Sequence, residues 1–173
     1  MLAYVFSHHP GEGVDSGAYE DSLRQFHQAL ASAAPSGFIT SSTFKVGSIY
    51  ADWYLLESSA ALDVLNASAV SGSRTRSHDA AARMAADGAG KLLSLAAGAH
   101  SMDAGFEVRF GKPTGMSYVD LYARLQTWTA APRVSLWRRM MVLGPPPEFC
   151  LLSPSAVELP AEMQPEVLAR EPI

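Results

Sequence analysis

The chain has 173 residues, of which 48% are hydrophobic and 17% are charged, and its formal net charge is -4. This composition is typical of a folded domain, or of two small subdomains that share a core, and it excludes a disordered chain. The slight acidic excess also argues against broad binding to nucleic acid or to an anionic membrane, since both need a basic surface. We therefore expect neither as a partner.

The compartment is predicted from the single cysteine and the first residues. Cys150 lies in the apolar run "EFCLLS" and has no second cysteine to pair with, so we expect a buried thiol in a reducing compartment. The N-terminal residues alternate like a strand and lack the basic start of a signal peptide. No run approaches the ~18 apolar residues that span a bilayer. These features predict a cytoplasmic protein.

The first hundred residues predict a strand, a helix, two strands, a variable segment and a strand. The first strand ends at His9-Pro10, and the helix carries an apolar stripe at helical spacing: Tyr19, Leu23, Phe26 and Leu30. The next two strands are "FITSSTFKVG" and "ADWYLLES". An Ala/Ser-rich insertion at 58–90, with helical pieces expected at 60–66 and 76–87, precedes the strand "KLLSLAAG".

The same order of elements returns from residue 107. A strand runs to Lys112-Pro113, and a helix with apolar residues at Tyr118, Tyr122 and Leu125 follows. Ser117 and Asp120 have the spacing of a capping box at its start. The strands "RVSLWRRMMVL", "PEFCLLS" and "EVLAREPI" complete the chain. The repeat predicts an α+β fold made of two ferredoxin-like βαββαβ halves, residues 1–100 and 104–173, with their sheets packed face to face.

On these repeated elements the sequence resembles the dimeric α+β-barrel superfamily, in the form where a tandem duplication places both halves in one chain. The resemblance rests on element order and identifies no subfamily. It implies a barrel that folds without a partner, so we expect a monomer or a weak homo-oligomer. Members of the superfamily include cofactor-independent monooxygenases, polyketide cyclases, isomerases, haem-dependent enzymes and proteins without known activity, and the fold alone does not choose among them.

Strand alternation sorts the candidate binding residues. It directs Glu107 and Arg109 toward the opposite sheet, and the repeat alignment places Tyr4, Phe6 and His8 with them in the barrel interior. Glu107 and Arg109 have the alternative of reaching the rim or pairing with each other. The pattern of strand 134–142 leaves open which face lines the barrel, although Trp137 is a candidate wall of an apolar pocket.

Two histidines are candidates for acid/base chemistry. His8 ends the first strand, and the neighbouring His9 points the other way, so we expect only His8 to serve a site; its alternative role is a solvated strand end. His78 lies near the start of a helix in the insertion, where it is either a lid residue or a surface histidine. His27, next to Phe26, is expected to be half-exposed and without a role. Arg109 is the candidate for holding an oxyanion.

No cofactor is predicted, with a haem or metal site as the alternative. The five histidines show no metal-ligand spacing, the lone cysteine forms no CxxC pair, and the second half has no histidine that could hold a haem iron. The sequence therefore predicts a cofactor-independent enzyme of the monooxygenase, cyclase or isomerase type that acts on a small apolar or aromatic metabolite. The alternative is a non-catalytic small-molecule-binding or assembly protein with the same barrel.

Overall fold

The computed structural model describes residues 1–141 and 143–173. The N-terminal elements are β1 (Leu2–Pro10), α1 (Ser16–Ser32), β2 (Phe38–Val46), β3 (Ile49–Leu56), α2 (Ala60–Ala69), α3 (Thr75–Met84) and β4 (Ala85–Gly98). The C-terminal elements are β5 (Phe106–Phe110), α4 (Tyr118–Thr129), β6 (Ser135–Arg139), β7 (Phe149–Ser153) and β8 (Glu166–Pro172). Short 3₁₀ turns at Gly72–Arg74 and Ala161–Met163 precede α3 and β8.

The eight strands form one closed barrel in the order β1-β3-β2-β8-β5-β7-β6-β4. Every pairing around the barrel is antiparallel, and the contacts β2–β8 and β4–β6 join the N-terminal strands to the C-terminal ones. Because the ring closes, no strand edge is left unpaired between the two groups. The predicted α+β class and the barrel are confirmed; the tandem duplication stays a prediction.

The two long helices begin where local hydrogen bonds satisfy their free N–H groups. Asp15 accepts a hydrogen bond from the Ala18 backbone N at 2.9 Å, and α1 buries the predicted stripe that includes Tyr19 and Phe26. Ser117 accepts from the Asp120 backbone N at 3.1 Å, as the capping pattern predicted. Among the described residues, no helix combines the length and the apolar character that crossing a bilayer needs.

The barrel wall separates an inner core from two outer cores. The inner core is formed by residues of one strand face, among them Val5, Phe44, Trp53, Trp137 and Leu152. The outer core of the N-terminal half lies between β1, β3 and the helices α1–α3, and it includes Leu2, Tyr19, Leu23, Tyr54 and Leu65. The outer core of the C-terminal half lies beneath α4 and includes Val108, Phe110, Leu121, Leu125 and Leu151.

Two sequence expectations about the connections were wrong. The helical piece expected at 76–87 ends at Met84, and residues 85–90 of the expected insertion belong to the long strand β4. Residues 85–90 pair with β1, and this pairing places them in the sheet. The pairing is irregular here, because the register shifts between Ser7 and His9 and Asp87 has a positive φ. The βαββαβ order also predicted a second helix in the C-terminal half, between β7 and β8. The described segment there contains the 3₁₀ turn Ala161–Met163 instead.

The strand expected at 134–142 is β6, which spans Ser135–Arg139; Val142 lies outside the described residues. The packing of β6 shows which of its two faces lines the barrel. Trp137 belongs to the inner core, whereas Leu136 belongs to the outer core beneath α4. Arg139 follows Trp137 on the inner face, and Arg138 follows Leu136 on the outer face, where its guanidinium lies 3.9 Å from the Tyr118 ring centroid.

Candidate active site

Asp52 is a buried carboxylate on the outer face of β3, and it is 3% exposed. Thr43 of β2 donates a hydrogen bond to its Oδ1 at 2.6 Å, and the Tyr54 hydroxyl donates to its Oδ2 at 3.1 Å. Two imidazoles complete its surroundings: His8 Nε2 lies 3.3 Å from Oδ2, and His27 Nε2 lies 3.4 Å from Oδ1. Four side chains from β1, β2, β3 and α1 therefore converge on one carboxylate.

The charge state of Asp52 follows from these neighbours. Burial by itself would raise the pKa of this carboxyl group, because the charged form loses its hydration. The adjacent His27 and His8 outweigh burial and hold the pKa of Asp52 well below its ordinary value. Asp52 is therefore ionised at neutral pH and accepts hydrogen bonds only.

His8 connects this carboxylate to a phenol. It is 1% exposed, and its Nδ1 lies 2.5 Å from the hydroxyl oxygen of Tyr19 on α1. Since Asp52 is an acceptor, we infer that Nε2 of His8 carries a hydrogen and that Nδ1 accepts the hydrogen bond from Tyr19. The His8 ring also stacks on Tyr50, with the ring centroids 6.1 Å apart. The order Tyr19–His8–Asp52 forms a continuous polar chain.

The phenols around Asp52 remain protonated. Burial, followed by the negative charge of Asp52, raises the pKa of Tyr19, Tyr54 and Tyr4 above the ordinary value. A protonated phenol can donate a hydrogen bond to a ligand oxygen or nitrogen. Because the Tyr19 hydroxyl donates to His8 and the Tyr54 hydroxyl donates to Asp52, the Tyr4 hydroxyl is the one left to donate to a ligand.

This polar chain borders a cavity of about 460 Å³ between the β1–β3 wall and the helices α1, α2 and α3. The wall side is formed by Tyr4, Phe6, His8, Asp52 and Tyr54. The helices contribute mainly apolar side chains, with Asp63, Asn66 and His78 as polar exceptions. A largely apolar cavity with a few converging polar groups is the usual form of a small-molecule site.

Two glycines of β4 make room for the aromatic wall. A Cβ atom at Gly90 would lie 2.7 Å from the Tyr4 hydroxyl oxygen, and a Cβ at Gly88 would overlap the Phe6 ring. The rings of Tyr4 and Phe6 therefore lie flat across a stretch of strand without side chains. This explains why β4 begins with small residues where a strand would ordinarily carry bulkier ones.

The predicted site residues separate into two groups. Tyr4, Phe6, His8 and His78 line the cavity, and His78 does so from α3 with its Nδ1 3.1 Å from Asp79 Oδ1. Glu107, Arg109 and Trp137 belong instead to the barrel interior, on the other side of the wall.

The expected convergence of Tyr4, Phe6 and His8 with Glu107 and Arg109 was therefore wrong. Tyr4, Phe6 and His8 have the strand parity of Phe106, Val108 and Phe110, so they face the helices. Glu107 and Arg109 do face inward, and they form the ion pair that was the alternative, with 2.6 Å between Arg109 Nε and Glu107 Oε1.

The sequence interpretation missed Asp52, Tyr19, Tyr54 and His27. His27 is buried, not half-exposed, and its Nδ1 lies 2.6 Å from Ser41 Oγ. The available signal was Asp52 itself, since an aspartate inside the apolar strand "YADWYLL" requires buried partners. Tyr19 was assigned only to the apolar stripe of α1, although a buried tyrosine hydroxyl also needs a partner.

The charge of this cavity is unfavourable for haem. Its two propionates are anionic, whereas the described lining residues include Asp52 and Asp63 and neither lysine nor arginine. His8 Nδ1 is engaged by the Tyr19 hydroxyl and its Nε2 lies 3.3 Å from Asp52 Oδ2, which makes His8 a poor iron ligand and leaves His78 as the other imidazole of the lining. Within residues 1–141 and 143–173, no group of three or more His, Cys, Asp or Glu residues is placed to hold a metal ion. Independence from cofactors stays a prediction.

Comparisons with known proteins agree on architecture and add no activity. No family model matches the chain, and no curated protein matches it. A crystal structure of a protein provisionally named a chlorite dismutase superposes with a TM-score of 0.52 at 12% identity, covering 99% of this chain and 94% of that one. At this identity the likeness shows the fold alone, an α+β fold with the closed antiparallel barrel described above.

Proposed function

We propose that the protein is a cofactor-independent enzyme that moves a proton within a small apolar or aromatic metabolite bound in the cavity. The observation that carries this proposal is the buried chain Tyr19–His8–Asp52 at the edge of a cavity of about 460 Å³. Isomerisation and cyclisation need only proton transfer and charge stabilisation, which these residues supply. Monooxygenation would need oxygen activation in addition.

The proposed step conserves protons within the site. Tyr19 accepts a proton from the substrate as its own hydroxyl proton passes to Nδ1 of His8. The imidazolium that forms keeps its Nε2 hydrogen directed at the Asp52 carboxylate, which stabilises the positive charge. The reverse transfer through Tyr19 returns a proton to another atom of the substrate, while the Tyr4 hydroxyl is available to a developing oxyanion.

A second candidate is a small-molecule-binding protein without catalysis. It is favoured by the burial of His8, whose two ring nitrogens both face protein groups and leave none directed at a ligand. In that case the chain Tyr19–His8–Asp52 fixes the cavity wall, and the phenols orient the ligand. The two candidates share the site and differ in whether the bound molecule is changed.

Native mass spectrometry of freshly purified protein distinguishes them. If the protein is an enzyme, the Tyr19→Phe and His8→Gln variants should retain bound substrate. Wild-type protein that is incubated with this substrate should convert it and release the product. The His9→Ala variant is the matched control, because His9 does not line the cavity. Conversion by wild type and all variants alike would remove the catalytic role of His8; retention of one unchanged molecule by all would establish the binding protein.

We further propose that residues 1–100 and 104–173 are duplicated ferredoxin-like halves of a cytoplasmic chain that folds without a partner. The strand order β2-β3-β1-β4 of the first half and β6-β7-β5-β8 of the second supports the duplication. Closure of the barrel within one chain supports a monomer or a weak homo-oligomer. Sedimentation equilibrium should show a folded chain at all protein concentrations; unfolding on dilution would contradict it.

A further inference from the structure

The barrel interior contains a surplus of positive charge. Strand alternation directs Lys91 of β4, Arg109 of β5, Arg139 of β6 and Arg170 of β8 inward, on the strand faces that carry Leu93, Cys150, Trp137 and Leu168. The carboxylate among them is Glu107, which is paired with Arg109. Glu166 lies exposed at the rim, opposite Arg109 in the β5–β8 register.

The deepest of these cations is incompletely paired. Arg170 is 2% exposed, and its Nη1 donates to the backbone oxygens of Met102 at 3.0 Å and Ala104 at 3.2 Å. Its Nε and Nη2 are buried and have no hydrogen-bond partner within the described chain. The same holds for Arg139 Nε and for Glu107 Oε2. Buried polar atoms without partners are costly, so this arrangement favours a further polar occupant.

The electrostatic balance calls for a negative occupant. Burial lowers the pKa of Lys91, and the charges of Arg109 and Arg139 lower it further, while Cys150 and Glu107 oppose the shift. Burial also lowers the pKa of Arg170 to about 10, although Glu107 opposes this. Glu107, with Glu166 at the rim, thus does not compensate four inward cations, and an added anion would stabilise the charged form of each.

We propose that the barrel mouth lined by Lys91, Arg109 and Arg139 binds an oxyanion, the carboxylate or phosphate group of a small molecule, with Arg170 as a deeper counter-charge. Arg139 Nη1 and Lys91 Nζ now donate to neutral backbone oxygens of Gly144 at 2.9 Å and Pro147 at 3.4 Å. An oxyanion offers these donors stronger, charge-assisted hydrogen bonds. Lys91, Arg109 and Arg139 are only partly buried, so the site is open to solvent.

This site is separate from the His8 cavity. The strand face that carries Lys91, Arg109 and Arg139 is the inner one, whereas His8 and Asp52 lie on the outer face beneath the helices. The inference therefore does not depend on the proposed function, and variants on one side leave the other side in place.

The test is isothermal titration calorimetry of the full chain with inorganic phosphate and, in a second arm, with succinate, each at constant ionic strength set by sodium chloride. We expect saturable binding of at least one probe. Arg139→Gln and Arg109→Gln should each weaken it by about tenfold, the usual effect of losing a hydrogen bond to a charged group. Arg138→Gln is the matched control, since Arg138 faces outward and donates to Glu148 at 2.7 Å.

The result with the wild-type chain decides the matter without any variant. If neither phosphate nor succinate binds saturably up to about 10 mM, a concentration that corresponds to weak millimolar affinity, the inference is wrong. It is also wrong if Arg138→Gln weakens binding as much as Arg139→Gln does, because the anion would then lie on the outer surface. Binding that is strong in wild type and Arg138→Gln and weak in Arg139→Gln establishes the site.

Discussion

At corresponding register positions, the N-terminal half pairs His8 with Tyr50 and the C-terminal half pairs Phe110 with Phe149. Both ring pairs are stacked, with centroids 6.1 Å apart in the first and 5.3 Å apart in the second. Two residues after Tyr50 comes Asp52, and two residues after Phe149 comes Leu151. The same backbone position is therefore a polar network in one half and plain hydrophobic packing in the other.

The segments that cover these positions also differ between the two halves. The N-terminal half covers its wall with α2 and α3, and a cavity remains beneath them. The C-terminal half covers its wall with a short segment whose Leu159 and Met163 pack directly against Phe110 and its neighbours. The half that has the polar network is therefore also the half that has a cavity beneath its covering helices. The C-terminal half closes its side of the barrel with apolar packing at this position, which supports a functional reason for the polar network in the N-terminal half.

The largest expected effect comes from giving the N-terminal half the residue of the C-terminal half. Asp52→Leu leaves His8, His27, Thr43 and Tyr54 without their common partner, and it should cost about 3–5 kcal/mol of unfolding free energy, as other broken buried pairs do. Urea unfolding at pH 7 measures it. Adding His8→Phe and Tyr50→Phe, which completes the copy of the apolar trio, should recover part of the loss; a triple variant less stable than Asp52→Leu would contradict the comparison.

The second prediction concerns pH. The pKa of Asp52 is lower in the folded protein than its ordinary value, so its ionised form stabilises the fold above about pH 4, the ordinary carboxyl pKa. This contribution is lost as the pH falls through the lower, folded pKa. The difference in stability between wild type and Asp52→Asn should therefore shrink as the pH falls below about pH 4. A difference that grows below pH 4 would contradict the prediction.

A smaller effect is expected at the strand that makes room for the aromatic wall. Gly90→Ala places a Cβ against Tyr4, and it should cost about 1–2 kcal/mol, the usual penalty for overpacking, while displacing the Tyr4 ring into the cavity. The control is Gly111→Ala in the C-terminal half, where an added Cβ meets no atom within 4 Å. Thermal unfolding of both variants measures the difference, and equal shifts would mean that the contact at Tyr4 is unimportant.

The smallest effect concerns the cover of the cavity. Arg74, between α2 and α3, holds this covering segment in place by donating hydrogen bonds to the backbone oxygens of Ser68 at 2.7 Å and Ala33 at 2.6 Å. Limited trypsin digestion should cut first near Arg74 or Arg76, and Arg74→Gln should speed the cut after Arg76 by about fivefold, the effect of losing about 1 kcal/mol of local stability. A first cut at 111–115, in the C-terminal half, would count against a mobile cover.

Much of the architecture could be predicted from local pattern. The stripe of Tyr19, Leu23, Phe26 and Leu30 predicted α1, and Ser117 with Asp120 predicted the start of α4, because helical spacing and capping depend on residues a few positions apart. Element order predicted an α+β barrel for the same reason. The extent of β4 was not predictable, since its glycines and alanines favour no strand until β1 pairs with them.

The site itself needed the tertiary structure. Alternation shows that Tyr4, Phe6 and His8 share a face, but both faces of β1 are buried in this barrel, so the sequence did not decide which face meets the helices. His8, His27 and Asp52 are far apart in the chain, and only the β1–β3 register and the packing of α1 bring them together. Sequence determined the elements because their forces are local; the tertiary structure decided the site because its contacts join residues distant in sequence.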